Sequence, residues 1–509
     1  MSTLHWIDGV SVFYYWLPCA FFAYVLVSFG KAIYNAYFHP LSRFPGPRLA
    51  AATTLWKLYV EAIAQRSMAL YLRELHEEYG DIVRIGPNEL HFAKPSVYHE
   101  IYNAKNRWTK DVSLYHLVAA EESTLSLCDY NQAKKRRDIT LPLFSRKTVV
   151  SIQHLVQEGL DLMCANIENH IKENKPFNMF RAFRCNAIDA IFSICFARSL
   201  NMLSAPDFLV PLERAMYTQL PVTMLFKHFP IIKALVSKFP PKVLGYLQPE
   251  MKGFFDMLEL LALQVREVLS NPQSLVGSSH QTIYHEFLKA IDEGRLKISE
   301  QSLQDEALLL VNAGSDTVSD ALSVGTLNVL DNPEVHAKLR DEILKAWPKL
   351  DEPPRYEELE DLPYLRAVIK ESLRFSHGVV HPMPRIVPAE GAQLSGEYIP
   401  GGTVVSVSNI FVHWNDEIFP DPHTFKPERW LGKDEESLDM WLVAFSKGPR
   451  SCLGTNLAYC ELYMTLAHLF RRFELRLDGV RASDWKWTDC YIPHYVGPEL
   501  NVWAKVRAA

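Results

Sequence analysis

Phe445-Ser446-Lys447-Gly448-Pro449-Arg450-Ser451-Cys452-Leu453-Gly454 decides how the rest of this chain is read. The stretch has the form F-x-x-G-x-R-x-C-x-G: one cysteine in a loop, glycines on both sides, and a helix-like run from Thr455 to Phe470 behind it. Gly448 allows the backbone a sharp turn. Gly454 lets the following helix lie flat against a planar ring. A thiolate just before a helix start is stabilised by the helix dipole and its free N–H groups. Such a loop suits a cysteine that holds a haem iron, with Arg450 placed to neutralise a propionate. Thiolate ligation pushes electron density onto iron and favours O–O cleavage. The bland alternative is a small buried cysteine. It suits Cys128, Cys164, Cys185, Cys195 and Cys490 better, because Cys452 alone sits inside a pattern of five fixed positions.

Around that loop lies a chain of 509 residues with no obvious internal repeat or long low-complexity linker. A composition of 48% hydrophobic and 22% charged residues is that of an ordered globular protein, and a net charge of -6 speaks against nucleic-acid binding. The eight cysteines lack paired spacing, which argues against a disulfide framework or a zinc site and for a reducing compartment. Val10 to Phe29 contains no Asp, Glu, Lys or Arg and is long enough to span a bilayer. It lacks a basic n-region and exceeds a usual signal core, so an anchor is expected rather than a cleaved signal. Asp8 precedes the run, whereas Lys31, Arg43, Arg48 and Lys57 follow it, which puts the body on the cytosolic side. The expected organisation is a luminal segment (1–9), a transmembrane anchor (10–30), a stiff hinge carrying Pro40, Pro45 and Pro47 (31–48), and one catalytic body (49–509).

The body reads as mainly helical. Ala64 to Tyr79 is amphipathic and closed by Gly80. Ile82–Ile85 and Glu89–Phe92 read as strands around Gly86-Pro87-Asn88, Tyr398–Ser408 as further strand, and the last forty residues as short strands. Leu220–Leu247 mixes Leu225, Phe229, Ile231, Ile232, Leu235 and Phe239 with Lys227, Lys233, Lys238 and Lys242. Two readings stand for it: plain core, or a second, shallow membrane contact.

Two more signatures matter. Glu371-Ser372-Leu373-Arg374 is E-x-x-R on a helical stretch beginning near Leu362, and Pro427-Glu428-Arg429-Trp430 lies between it and Cys452. Residues three apart share a helix face, but taken alone such a pair is a weak surface ion pair. Ala313-Gly314-Ser315-Asp316-Thr317 sits inside a helical run from about Ser299 to Leu330. Gly inside a helix costs ~1 kcal/mol relative to Ala. Either Asp316 and Thr317 face solvent on an ordinary helix, or the helix opens locally over the iron. In the second case O₂ fits beside Gly314 while Asp316 and Thr317 deliver protons.

In this order and spacing the three signatures resemble a cytochrome P450 monooxygenase, over essentially the whole chain. Phe38 to Pro47, Glu89-Leu90-His91 and Leu362 to Arg385 are similar to fungal microsomal members of secondary metabolism, the trichodiene-oxygenase-like group. The resemblance implies a mainly α fold with small β-sheets (α+β) and one N-terminal transmembrane helix. It implies haem b with Cys452 as axial ligand, in a loop shaped by Phe445, Gly448 and Gly454. Asp316 and Thr317 become the catalytic proton-delivery pair. Arg450, Arg385 and Arg137 become propionate partners, and Glu371, Arg374 and Arg429 a buried structural network. One position departs from the pattern: Ala133 stands where Trp or His is usual, so a haem contact is missing or is supplied by Lys134 or Tyr130. The basic run Lys134 to Arg137 otherwise reads as a solvated face for an acidic reductase surface.

The activity implied is insertion of one atom of O₂ into an apolar substrate, a terpenoid or polycyclic alkaloid intermediate, at the endoplasmic reticulum membrane. Electrons would come from NADPH through a separate NADPH–cytochrome P450 reductase. Pocket walls are expected after Trp108, at Val311–Ser315, at Gly378–Pro382 and near Tyr491-Ile492. The rivals are a reductase-independent haem-thiolate isomerase or dehydratase, which tends to lose the helix threonine, and a non-catalytic haem-binding protein, which needs no acid-alcohol pair.

Overall fold

The computed structural model describes residues 4–117, 120–236, 238–432 and 435–507, and among them helices dominate while short strands gather at the flanks. α1 (Leu4–Tyr37) is a helix of 34 residues, about 50 Å long at 1.5 Å per residue against a hydrocarbon core of ~30 Å. Its part Cys19–Tyr37 is apolar enough to cross a membrane and is only 6% buried. Helix therefore continues through Lys31–Tyr37, which sequence alone assigns to the hinge, because no residue there breaks it before Pro40. Residues 38–47 form the non-helical connection, and it is docked rather than free. Leu41 and Phe44 pack with Leu90 and Phe92, Pro45 O accepts from Arg84 N at 2.7 Å, and the Arg84 guanidinium donates to Asn35 O at 2.8 Å. Residues 1–3 of the expected luminal segment lie outside the described residues.

α2 (Met68–Tyr79) turns Met68, Ala69, Leu72 and Leu75 inward and ends at Gly80, whose φ of +90° suits glycine. It begins later than Ala64 because Tyr59–Ile63 forms a separate π-helical turn. β1 (Ile82–Gly86) and β2 (Glu89–Phe92) pair antiparallel. They belong to a five-stranded sheet with β3 (Thr109–Lys110), β5 (Arg385–Ile386) and β8 (Val404–Ser406), in the order β1-β2-β8-β5-β3. β4 (Phe177–Asn178) joins β12 (Asn501–Val506) and β9 (Phe473–Leu477); β6 (Ala392–Leu394) pairs with β7 (Glu397–Ile399), and β10 (Lys486–Cys490) with β11 (Ile492–Val496).

The helical body is built on α3 (Tyr130–Thr140), α4 (Arg146–Lys172), α5 (Met179–Phe196), α6 (Pro211–His228), α7 (Glu300–Asp331), α8 (Pro363–Ser376) and α9 (Thr455–Arg472). α7 is capped by Ser299, whose hydroxyl accepts from Ser302 N at 3.0 Å. It packs against α5, α8 and α9 at once, so most of its faces are buried. Two glycines allow this. A Cβ at Gly314 would overlap the Ile191 side chain of α5, and one at Gly325 would overlap the Ser372 hydroxyl of α8.

Leu220–Leu247 is not plain core. Leu225, Phe229, Ile231, Ile232, Leu235, Phe239, Tyr246 and Leu247 are exposed. Glu61, on the π-helical turn, receives Lys227 Nζ at 2.8 Å and His228 Nε2 at 2.5 Å. The end of α6 is thereby tied beside exposed Tyr59 and Ile63, and the two apolar surfaces adjoin.

Candidate active site

The cysteine loop is closed by Cys452 N donating to Phe445 O at 2.8 Å. Gly448 has a φ of +75°, and a Cβ there would sit 2.7 Å from Asn103 O, so glycine is required for both conformation and space. Gly454 is different. Its φ of -83° is ordinary, and a Cβ there would meet only Cys452 Sγ, at 4.0 Å. Open space therefore lies beside the thiol. Cys452 is exposed by area, yet burial is the main cause pushing its thiol up, against the Gly454 N–H, the Thr455 hydroxyl and Arg137. Accessible and enclosed together mean that Cys452 borders an interior space. Phe445 packs on Tyr459 with centroids 5.3 Å apart.

Four cations converge on this loop. Arg137 Nη1 donates to Ser451 O at 2.7 Å. Arg450 Nη2 donates to Leu127 O and, at 3.1 Å, to Cys128 O. Arg385 Nη1 donates to Tyr115 Oη at 2.7 Å. Lys110 Nζ donates to Leu125 O at 2.7 Å and lies 4.1 Å from the Tyr115 ring centre. Burial and then Arg385 lower Arg450 to about 10, and burial followed by Arg450 and Arg385 pushes Lys110 well down. Among the described residues none of the four pairs with a carboxylate, and buried Arg450 Nε has no partner. Buried charge without a counter-ion is costly, so this cluster suits an anionic group. Sequence reasoning finds the three arginines and misses Lys110 and Tyr115, whose neighbours are set by β3–β5 pairing. The two stand-ins considered for Ala133 are occupied elsewhere. Lys134 bonds Asp138 at the surface, and the Tyr130 ring lies 5.4 Å from the Arg107 guanidinium. Arg136 is not on a solvated face either: it is buried against Glu306 at 3.4 Å and Ser302 at 2.8 Å.

On α7, Ala313 is exposed and Gly314 and Thr317 are half-buried amid fully buried Val311, Ser315, Asp316 and Val318, so this stripe also borders an interior space. The local opening expected of the helix is absent. α7 runs unbroken, Thr317 Oγ1 donates back to Ala313 O at 2.9 Å, and the empty Cβ position of Gly314 is filled by Ile191. Asp316 does not share Thr317's environment. It forms an ion pair with Arg184 Nη1 of α5, while Arg184 Nε lies 2.9 Å from Glu213 of α6. Burial pushes the Asp316 carboxyl up, opposed by Arg184, and pushes Asp320, one turn on, further up with Asp316 adding to it. No sequence signal points to Arg184.

Glu371, fully buried on α8, accepts from Arg374 Nε at 2.9 Å and Nη2 at 2.8 Å, Arg429 Nε at 3.1 Å, Trp430 Nε1 at 2.9 Å and Lys426 N at 2.9 Å. Arg374 Nη1 then reaches His413 O at 2.8 Å and Pro422 O at 2.7 Å. Glu371 and Arg374, three residues apart on α8, and the 3₁₀ turn Pro427–Trp430 thus form one buried knot. Three of the four expected wall segments meet: Val380 N and His381 N donate to Tyr491 O, and Leu114, Tyr115, Leu117, Met224 and Tyr491 pack together, with no residue of Val311–Ser315 in these contacts.

The donor set fits haem. Cys452, accessible in its loop, can offer one thiolate to a metal held by its own macrocycle. The open side of Gly454 admits a flat ring, and the cationic cradle suits two carboxylates. A family model described as Cytochrome P450 matches residues 46–486. Cytochrome P450 monooxygenase flvC of Aspergillus flavus is 34% identical over 517 residues, covering 93% of this chain and 93% of that protein. Cytochrome P450 monooxygenase macH of Penicillium terrestre is 34% identical over 475 residues, covering 92% and 93%. Cytochrome P450 monooxygenase ankB of Aspergillus thermomutatus is 35% identical over 474 residues, covering 91% and 89%.

Proposed function

We propose that this chain, which belongs to the cytochrome P450 family, holds haem b through the Cys452 thiolate and inserts one atom of O₂ into a terpenoid or polycyclic alkaloid intermediate of fungal secondary metabolism. It is a haem-thiolate monooxygenase, an oxidoreductase acting on a small molecule. The observation that carries the residue roles is the cationic cluster, without a carboxylate partner among the described residues, bonded to the Cys452 loop through Arg137 and Ser451 O.

When bound, the haem supplies the place where O₂ is reduced and its O–O bond cleaved. Arg137, Arg385 and Arg450 bind the propionates and orient the ring. The buried knot of Glu371, Arg374 and Arg429 supports the segment leading into the cysteine loop through His413, whose O accepts from Arg374 Nη1 and whose Nε2 accepts from Val443 N at 3.0 Å. Thr317, on the accessible stripe of α7, spends its hydroxyl proton on Ala313 O and keeps its lone pairs for an incoming water proton. Asp316 is held by Arg184; to relay a proton toward Thr317 its carboxylate has first to exchange Arg184 for water and take up a proton, and only then can it do general acid work. Leu114, Leu117, Met224 and Tyr491 pack into an apolar cluster, which would face an apolar substrate and keep bulk water out.

The membrane reading is supported by the exposed apolar face of Cys19–Tyr37 and by the adjoining patch from Tyr59 and Ile63 to Phe229 and Ile232. The basic flank Lys31, Arg43, Arg48 and Lys57 supports an anchor with the body on the cytosolic side, the arrangement proposed here for the endoplasmic reticulum membrane. For the NADPH–cytochrome P450 reductase, Lys134 and Lys135 remain exposed on α3. Retention of both Asp316 and Thr317 favours oxygen chemistry over a reductase-independent isomerase.

The test is an optical titration of the purified holoprotein with a panel of fungal terpenoids and indole alkaloids. A low-to-high-spin shift with one scaffold is expected and names the class. A normal thiolate-haem spectrum that no compound in the panel shifts would count against both substrate classes.

A further inference from the structure

Resting on the haem reading above, we propose that the Lys110 ammonium is a fourth cation on the haem propionates and takes the place of the contact that Ala133 does not supply. The antiparallel register of β3 and β5 sets Lys110 directly opposite Arg385. Like charges facing each other across strands destabilise a sheet. Here both are buried, at 3% and 5% exposure, so water does not screen them. The two also share one aromatic ring: Tyr115 accepts from Arg385 and lies beneath Lys110. Arg450 holds the Leu127–Cys128 carbonyls while Lys110 Nζ holds Leu125 O and Lys110 N holds Cys128 O at 3.2 Å. One loop therefore positions both cations at the same rim. The downward push on Lys110 from burial, Arg450 and Arg385 is the mark of an unpaired cluster, and a dianion between them reverses it.

Ala133 itself is fully buried on α3, four residues before Arg137, and its side chain offers no polar atom. The alternative role for Lys110 is a plain structural pin on the loop 125–128. The two roles differ in sign. A pin stabilises the chain with or without haem. A propionate ligand stabilises only the loaded chain, and without haem its charge opposes Arg385.

The experiment uses the holoprotein with Lys110→Met and Lys110→Arg. The propionate bending mode in resonance Raman spectra is expected to move in Lys110→Met. Haem transfer from Lys110→Met to apomyoglobin is expected to be faster by roughly tenfold or more. Lys110→Arg, which keeps the charge, is expected to keep near wild-type retention. Protein expressed without haem is expected to melt at an unchanged or higher temperature in Lys110→Met. An unmoved propionate mode with unchanged haem transfer would overturn the proposal, as would equal haem loss in both variants or a lowered melting point of the haem-free chain. A wild-type protein with no thiolate-type CO band would instead sink the haem reading, and this proposal with it.

Discussion

Replacing Glu371 by Gln changes one oxygen into an NH₂ group and removes one charge, with almost no change in volume. In the structure both carboxylate oxygens are saturated. Oε1 accepts from Arg374 Nη2, Arg429 Nε and Lys426 N, and Oε2 from Arg374 Nε and Trp430 Nε1. Whichever oxygen becomes NH₂, at least two buried donors then face another donor. Two guanidiniums, at 0% and 6% side-chain exposure, also lose the one carboxylate that they meet among the described residues. Breaking a buried pair in this way costs about 3–5 kcal/mol. The backbone carbonyls of His413, Pro422 and Pro420 still hold the two arginines, which favours the lower end of that range. Against a typical stability of about 5–15 kcal/mol, that loss is enough to loosen the cysteine loop. The assay is urea unfolding of the holoprotein followed by tryptophan fluorescence and by the thiolate-haem absorbance, together with haem content per chain. Both transitions are expected to fall together, and haem content with them. A surface control is Glu74→Gln, which breaks the exposed pair with Arg66 at 2.6 Å and is expected to cost less than about 1 kcal/mol. A Glu371→Gln protein indistinguishable from that control would refute the reasoning.

Three further outcomes follow from named contacts. Glu461, buried on α9 with Oε2 unpartnered, is raised by burial to about 8. A carboxyl with a raised folded value contributes stability that is full below about 4.5 and is lost as pH climbs to about 8, a deficit of about 3 kcal/mol at pH 7. Glu461→Gln should therefore gain on the wild type steadily from pH 5 to 8 in urea melts; parallel pH curves would contradict this. Gly314→Ala forces a methyl into Ile191 of α5 and is expected to cost roughly 1–3 kcal/mol, part of which Ile191→Ala restores. An unaltered melt for Gly314→Ala would show that α5 has room to yield. Thr317→Ala is expected to keep haem and to divert NADPH electrons to peroxide, measured as peroxide formed per NADPH consumed; unchanged coupling would remove Thr317 from the proton path.

Contiguous features were legible in the sequence. The cysteine loop, the bounds of α7 at Ser299 and of α8 near Leu362, and the β1–β2 turn all rest on residues close together in the chain. What escaped depends on partners brought from far away. Lys110 is decided by Arg385 and by a loop fifteen residues on, and Arg385 itself by Tyr115, 270 positions away. Asp316 looks like the companion of Thr317 because the two are adjacent, yet on a helix adjacent side chains diverge, and Arg184 on another helix claims it. Gly314 reads as an opening in α7 because spacing does not reveal the neighbour, and the neighbour is Ile191. The hinge begins later than composition suggests because apolar Ala32 and Ile33 and the following tyrosines carry the helix on to Tyr37. Exposure of Leu220–Leu247 was undecidable from pattern alone, since an apolar segment with interleaved lysines suits core and membrane edge equally.

Reduction of the purified protein under carbon monoxide tests the central assignment most directly. The account predicts a thiolate-type CO band in the wild type and its complete loss in Cys452→Ala. A thiolate band that survives Cys452→Ala, or a haem-loaded wild type that shows none, would contradict it.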